Sequence, residues 1–336
     1  MKLRGYLELD IMPITQKDIA RELDISDSLV SKVLNSKKNV WASSELCERI
    51  RSTAREMGYR PNAAAQALVN GRANMVAIWS VYLDLPEYGR YVARLQAHAY
   101  AAGIQVLIRD AVQQTGEWNW PADGIFCIDA PERIREYRES SPGASIPIVS
   151  LGVLECEDAD QVLMDLGIGA SQAMRDMIER GCRRIAYLLP KNVLDSPDDE
   201  RWQVYHREMA DLEADPELIV ANGMSDLAAY DAVHAYVRKH GSPEGLLVFG
   251  SFMLNGALRA FHELGTRVPD DLAVVCMDDS PELPFLQPSV SAVSMPVERL
   301  AAEAWRLLRY RQENAAAPWQ RVVLPTRLIR RESTAR

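Results

Sequence analysis

The chain has 336 residues, 48% hydrophobic and 25% charged, which is the composition of an ordinary globular protein and too long for one small core. No apolar run approaches the roughly 18–20 residues of a membrane span. The opening Met1-Lys2-Leu3-Arg4-Gly5-Tyr6, followed by Glu8 and Asp10, lacks the apolar stretch of a signal peptide, so a cytoplasmic location and no membrane partner are expected. The net charge of −9 is unevenly spread: residues 1–74 carry 12 Lys+Arg against 9 Asp+Glu, a net of +3, leaving −12 for the rest. A mildly basic head on an acidic body fits a nucleic-acid module attached to a sensor. The five cysteines (Cys47, Cys127, Cys156, Cys182 and Cys276) are odd in number and none sit at metal-ligand spacing, so reduced, mostly buried thiols and no metal site are expected.

Three short amphipathic helices are predicted in the first sixty residues. Thr15 precedes Gln16-Lys17-Asp18 in a capping-box pattern, and Ile19, Ala20 and Leu23 form one apolar face. Asp24-Ile25-Ser26 interrupts, and Ser26 can cap a second helix running to about Asn35 with Val30, Val33 and Leu34 inward. Ser43 can cap a third, with Leu46, Ile50 and Met57 inward and Gly58 ending it. A helix, a tight turn and a second helix make a helix-turn-helix unit. On the second helix Asp27, Ser28, Ser31, Lys32 and Asn35 form one polar stripe at i, i+1, i+4, i+5 and i+8. Ser, Lys and Asn bond base edges or phosphates, and Leu29 at the border can pack on a thymine methyl. Asp27 is the awkward member, since a carboxylate near phosphate costs Coulomb energy. Its alternatives are accepting from a cytosine amino group or capping the helix.

After Gly71 the pattern turns to strands alternating with helices. Strands are predicted at Met75–Trp79, Ile104–Ile108, Gly124–Ile128, Pro147–Leu151, Arg184–Leu189, Gly245–Phe249 and Leu272–Cys276, with a helix over Val92–Ala102. Such alternation predicts parallel doubly wound sheets, whose ligands bind beyond the strands' carboxyl ends. Gly167-Ile168-Gly169-Ala170-Ser171-Gln172 is a partial dinucleotide fingerprint lacking its third glycine. No Gly-rich loop ends in Gly-Lys-Ser/Thr, no Gly-x-Ser-x-Gly is present, and His98, His206, His234, His240 and His262 form no zinc motif. Neither an enzyme nor a cofactor is expected.

Ile14-Thr15-Gln16-Lys17-Asp18-Ile19-Ala20-Arg21, Ile25-Ser26, Leu29-Val30-Ser31-Lys32-Val33-Leu34-Asn35 and Met57 to Leu68 resemble the N-terminal domain of the LacI/GalR family of bacterial transcriptional regulators. The likeness continues through Ile178–Ala186, Val268–Val275 and Leu328–Thr334, so it spans Ile14 to Thr334. It implies an N-terminal three-helix helix-turn-helix domain at 12–60, a hinge helix and linker at 61–74, and two doubly wound, periplasmic-binding-protein-like lobes at 75–336. Lobe 1 is expected over about 75–163 and 295–320, and lobe 2 over about 164–292 and 321–334.

The resemblance also implies roles. Thr15 and Tyr59 would touch phosphate, Ser26 would anchor the recognition helix, and Asp27, Ser28 and Lys32 would read bases. Asn35 would contact backbone, Asn62 would cap a hinge helix that includes Ala65, and Leu68 would wedge into the minor groove and kink the operator. So short a helix does not hold alone in water, and family logic forms it on DNA beside the same segment of a second subunit. The loop from Ser36 to Ala42 is longer than in the shortest relatives and brings Lys37, Lys38 and Trp41, read as an extra phosphate contact. Asp24 replaces a turn Gly or Asn, and Cys182 stands where His is common.

In the sensor, Arg201, expected in a loop, matches an arginine that grips hydroxyls or carboxylates, and Asp278 matches an acidic residue. Gly250-Ser251 stand where a polar pair usually lies, and Gly152 where Asp is common. The stretch from Trp79 to Tyr91, read as a loop, is rich in aromatics. The candidate effector set is Trp79, Tyr82, Tyr88, Asp129, Arg201, Ser251 and Asp278. A sugar ring suits the aromatics, whereas the lost carboxylate and amide remove hydroxyl partners. Packing between lobes or at a dimer interface, a decayed pocket and a protein partner are the alternatives. The chain ends soon after Thr334 without trailing heptads, so a homodimer on a pseudo-palindromic operator is expected, with repression the family default and residence on the nucleoid when bound.

Overall fold

Helices α1 (Gln16–Leu23), α2 (Asp27–Asn35) and α3 (Ser44–Glu56) build the first of two units, Met1–Ala73, and Asn74–Arg336 form the second. The computed structural model describes residues 14–35, 42–60, 72–111, 121–141, 146–195 and 198–335. Lys37, Lys38 and the expected hinge residues Asn62, Ala65 and Leu68 lie outside the described residues. The helix starts follow the sequence. Thr15 N donates to the Asp18 carboxylate at 2.9 Å, and Ser43 Oγ accepts from Leu46 N at 3.2 Å. Between α1 and α2 the chain turns on Asp24, whose φ of 51° is left-handed, while Ile25 N reaches back to Ala20 O at 3.0 Å. Ile19, Ala20, Val30, Val33, Ile50 and Ala54 are the buried core of the unit.

The second unit contains two six-stranded sheets. The first has the order β11-β5-β4-β3-β1-β2, all parallel, from β1 (Met75–Ser80), β2 (Gln105–Asp110), β3 (Gly124–Ile128), β4 (Ile148–Gly152), β5 (Asp160–Asp165) and β11 (Arg321–Pro325). Helices α4 (Pro86–Ala101) and α5 (Pro131–Ser140) connect its strands. The second sheet has the order β12-β10-β9-β8-β6-β7, from β6 (Ile185–Pro190), β7 (Glu217–Ala221), β8 (Gly245–Val248), β9 (Ala273–Cys276), β10 (Ser291–Ser294) and β12 (Arg327–Ile329). Only β12 runs antiparallel within it. Its helices are α6 (Leu166–Glu179), α7 (Glu200–Asp211), α8 (Asp226–His240) and α9 (Leu254–Glu263), while α10 (Val297–Glu313) packs on α4 in the first lobe. Central strands such as β3, β4 and β8 are buried throughout, because helices cover both faces; that is why they read as unbroken apolar runs.

Two expectations need correction. Residues 321–334 do not all belong to the second lobe: Arg321–Pro325 pairs with β5 from Arg321↔Gln161 to Pro325↔Asp165 and completes the first sheet. The cause is a buried clamp at the end of α10. Arg311 holds Asp160 at 2.7 and 2.9 Å, its Nη1 donates to the carbonyls of Ala315 and Ala317, and its Nη2 donates to that of Pro318. Gln320 N then donates to Asp160 at 2.8 Å, which delivers the chain onto the edge of β5. The helix predicted over Val92–Ala102 starts earlier, at Pro86. Proline's fixed φ and missing N–H suit a first helical turn, so Tyr88 and Tyr91 lie on a helix and not in a loop.

The chain passes between the lobes three times: at Asp165–Leu166, between Ser294 and Val297, and at Thr326. Thr326 Oγ1 donates to Asp165 O at 2.6 Å and accepts from Gly169 N at 3.1 Å. A Cβ on Gly169 would lie 2.3 Å from Val293 Cγ1 and 2.7 Å from Thr326 Oγ1, so only glycine lets the passages converge.

The Asp160–Arg311 pair yields a prediction. Asp160→Ala leaves a guanidinium buried without its partner, and urea unfolding is expected to show a loss of about 3–5 kcal/mol. Asp160→Ala combined with Arg311→Met recovers much of that loss. Additive losses in the double variant would contradict the clamp.

Candidate DNA-reading face and interlobe cleft

Ser26 starts α2 as its cap, with Oγ accepting from Leu29 N at 3.3 Å. Asp27, Ser28 and Lys32 are exposed, Ser31 is half-buried, and Leu29 is half-buried against the core of the unit. The stripe therefore exists as a solvent-facing surface next to an apolar edge. Asp27 sits in the first turn, where a carboxylate complements the helix dipole. Asn35 is the last residue of α2. Thr15 donates its hydroxyl to Asp18 at 2.7 Å, and hydrogen bonds from Thr15 hold the Asp18 carboxyl below its ordinary value. Tyr59 accepts from Gln16 Nε2 at 2.9 Å, tying the residues after α3 to the start of α1.

The sensor residues converge for a topological reason. In each sheet the order reverses beside the first strand: between β3 and β1 in one, between β6 and β8 in the other. Ligands of doubly wound sheets sit beyond the strands' carboxyl ends at such switch points. Tyr82, Glu87 and Tyr88 follow β1, and Asp129 follows β3. Arg201 follows β6, Ser251 follows β8, and Asp278 follows β9.

On the first lobe, Tyr82 and Tyr88 meet edge to face with centroids 5.7 Å apart, and Tyr88 and Tyr91 at 5.8 Å. Tyr88 donates to Asp129 Oδ2 at 3.2 Å, and Asp129 Oδ1 accepts from Val153 N and Leu154 N at 2.6 and 3.0 Å. Gly152 makes this possible: its φ is 128°, and a Cβ there would lie 2.2 Å from Asp129 Oδ1. The glycine at 152 thus gives its space to Asp129. Burial raises the Asp129 carboxyl above its ordinary range despite these donors.

On the second lobe, Arg201 lies in the first turn of α7, not in a loop. It pairs with Asp199 at 2.6 Å and stacks 3.8 Å above the Phe249 ring. Burial pushes the Asp199 carboxyl up, but Arg201 outweighs it and holds it below its ordinary value. Ser251 donates to Asp278 Oδ2 at 2.8 Å. Arg90, on α4 of the other lobe, places Nη1 3.7 Å from Asp278 Oδ1 and donates to Asp279 O at 2.5 Å. Glu87 faces the same place. Burial, then the charge of Asp278, pushes its carboxyl up to about 7 from 4.5, with Arg201 and Arg90 pulling the other way.

One candidate falls away. Trp79, 2% exposed, turns to the face of β1 that carries Ala77 and packs edge to face on Tyr137 of α5 at 5.5 Å. Strand alternation puts it opposite Val76 and Ile78, which face α4 and α10. Glu87, Arg90, Asp199 and Phe249 join the cleft without having been singled out from the sequence. The partial glycine fingerprint has a different occupant from a phosphate: Glu200 accepts from Leu166 N and Gly167 N at 2.7 and 3.0 Å, and Asp165 caps Ile168 N at 3.1 Å.

This geometry defines a class, a helix-turn-helix reader joined to a two-lobed binding unit of periplasmic-binding-protein type. Residues 15–62 match the family model described as bacterial regulatory proteins, lacI family, and residues 174–334 match that of a periplasmic binding protein-like domain. The ribose operon repressor of Halalkalibacterium halodurans is 26% identical over 329 residues, covering 95% of this chain and 97% of that protein. The HTH-type transcriptional repressor PurR of Serratia proteamaculans is 23% identical over 333 residues, covering 96% and 97%. In fold, the chain is similar to the Lac repressor dimer bound to operator and the anti-inducer ONPF, with a TM-score of 0.77, 20% identity, and 96% of this chain and 99% of that one covered. The chain thus carries a lacI-family DNA-binding domain and a periplasmic binding protein-like domain, and the relatives it is similar to along its length are transcriptional repressors, not enzymes. Among the described residues no helix is long and apolar enough to cross a membrane.

The raised Glu87 carboxyl has a measurable sign. The folded protein keeps this proton where the unfolded chain has lost it. The associated stability is present below about pH 4.5 and lost as pH rises through about 7. Between about pH 5 and pH 8 the wild type is expected to lose on the order of 2 kcal/mol more than Glu87→Gln. Asp129 and Asp278, also raised by burial, leave a smaller slope in the variant. Parallel stability profiles for the two proteins would contradict the placement of Glu87.

Proposed function

We propose that the protein represses its target genes as a homodimer on a pseudo-palindromic operator and that a small molecule between the lobes sets its operator affinity. The observation that carries this reading is the meeting of both switch points, with side chains of both lobes, in one cleft. A compound there contacts the two lobes together, so it binds one lobe arrangement better than another and shifts the population toward it.

The α2 stripe supplies the DNA contacts in this reading. Ser28 and Lys32 reach base edges or phosphates, and Ser26, Asp27, Leu29, Ser31 and Asn35 border them. Thr15, Lys37, Lys38 and Tyr59 add backbone contacts. Asn62, Ala65 and Leu68 are assigned to the minor-groove contacts by the resemblance, with Leu68 as the wedge. Of the effector candidates, Tyr82, Tyr88, Asp129, Arg201, Ser251 and Asp278 are retained.

A homodimer is supported by apolar side chains near the corresponding edges of the two sheets. Tyr100 and Ile108 stand by the β2 edge, and Val220 and Leu227 by the β7 edge; Tyr100 is 87% and Leu227 70% exposed. Two-fold pairing of such a chain presents two heads to two half-sites.

Operator-containing fragments enriched from the genome of the encoding organism by the full chain test the reading, and the neighbouring genes identify the pathway. On such a fragment Leu68→Ala is expected to weaken specific binding by about tenfold or more while non-specific binding changes little. Equal losses would remove the wedge role. Arg201→Ala is expected to abolish the response to the effector and to leave operator affinity in its absence within about threefold. An undiminished response would remove Arg201 from the pocket.

A further inference from the structure

We propose that the compound held between the lobes is a small organic cation, an amine or ammonium compound, seated between Glu87 and Asp278 beside the tyrosines of α4. The proposal rests on the effector reading above and narrows it to a charge class.

The argument starts from acceptors without donors. Glu87 Oε2 and Asp278 Oδ1 are buried oxygens with no hydrogen-bond partner among the described residues. Asp278 is 2% exposed, and Ser251 satisfies only its other oxygen. Oδ1 faces the opposite lobe, since the nearest cation is Arg90 across the cleft at 3.7 Å, beyond hydrogen-bond length. Ser280 Oγ, two residues on and 1% exposed, also lacks a partner. A buried carboxylate oxygen left this way costs more than a neutral acceptor would.

The charges do not balance locally. Glu87, Asp129, Asp199 and Asp278 face Arg90 and Arg201. Arg201 is committed to Asp199 through two nitrogens, and Asp129 has three donors of its own. Glu87 and Asp278, one from each lobe, are left to share the single cation Arg90, and burial holds a proton on Glu87 up to about pH 7 that a bound cation would displace. An anionic compound meets these oxygens with repulsion. A neutral polyol supplies hydrogen bonds and no charge while removing both carboxylates further from water. A cationic nitrogen supplies donors and counter-charge together, and draws the lobes toward one another through both carboxylates. Tyr82, 43% exposed, and the half-buried Tyr88 add aromatic surface beside the acids, with the buried Tyr91 behind them; the negative faces of such rings attract ammonium groups.

The test uses the full chain and matched pairs of probes at fixed ionic strength: glucosamine against glucose, putrescine against 1,4-butanediol, and choline against 3,3-dimethylbutan-1-ol. The readouts are the thermal midpoint and operator affinity. At least one cation is expected to raise the midpoint and change operator affinity where its neutral partner does neither. Glu87→Gln and Asp278→Asn each weaken that cation by about tenfold or more. A neutral member that acts equally well, or a cation whose effect survives both substitutions, overturns the cation and leaves the effector reading standing. Silence of every probe, together with an unchanged midpoint in Glu87→Gln at about pH 8, overturns the charge argument itself.

Discussion

Everything the sensor can do is limited by the place where the chain passes between its lobes. Asp165, Val293 and Thr326 converge on Gly169, and Thr326 bonds both the Asp165 carbonyl and the Gly169 amide. Three adjacent passages of backbone tie the lobes together at this one place, and the cleft lies between them. The side chains that follow β1 and β3 on one side, and β6, β8 and β9 on the other, fill it, because doubly wound sheets direct those loops to one end. Arg90 reaches across to Asp278 and Asp279, so the two lobes are joined by charge as well as by backbone.

The two units apply the same chemistry to different ends. In the head, side chains of Asp18, Ser26 and Ser43 start the helices, and the polar stripe of α2 is left to solvent over a small apolar core. In the sensor, carboxylates complete the structure where a cofactor phosphate sits in other doubly wound proteins. Glu200 and Asp165 occupy the start of α6, so the glycine-rich stretch there serves the lobe crossing.

The head was legible in the sequence because its signals are local. Caps, apolar spacing and the turn at Asp24 each fall within a few residues of what they determine. Strands β1, β2, β3, β4, β6, β8 and β9 were legible as apolar runs for the same reason, whereas β5, β7, β10, β11 and β12 were not read from the sequence. The cleft was less so. Trp79 reads as a pocket aromatic until strand alternation is followed to Tyr137. The first turn of α4 was hidden by its aromatics, although Pro86 marks its start. Glu87 and Arg90 gain meaning only through Asp278, far along the chain, and no local pattern joins them. The allocation of Arg321–Pro325 to the first sheet depended on the Arg311–Asp160 clamp, which is equally non-local.

The account depends most on the polar stripe of α2 entering a groove of duplex DNA. Enrichment of a random-sequence duplex pool by the purified full-length protein, followed by sequencing, measures this directly. The expected result is a two-fold symmetric motif whose enrichment falls when Ser28 and Lys32 are both replaced by alanine. A pool that returns without sequence preference, with the cleft empty or filled, would contradict it.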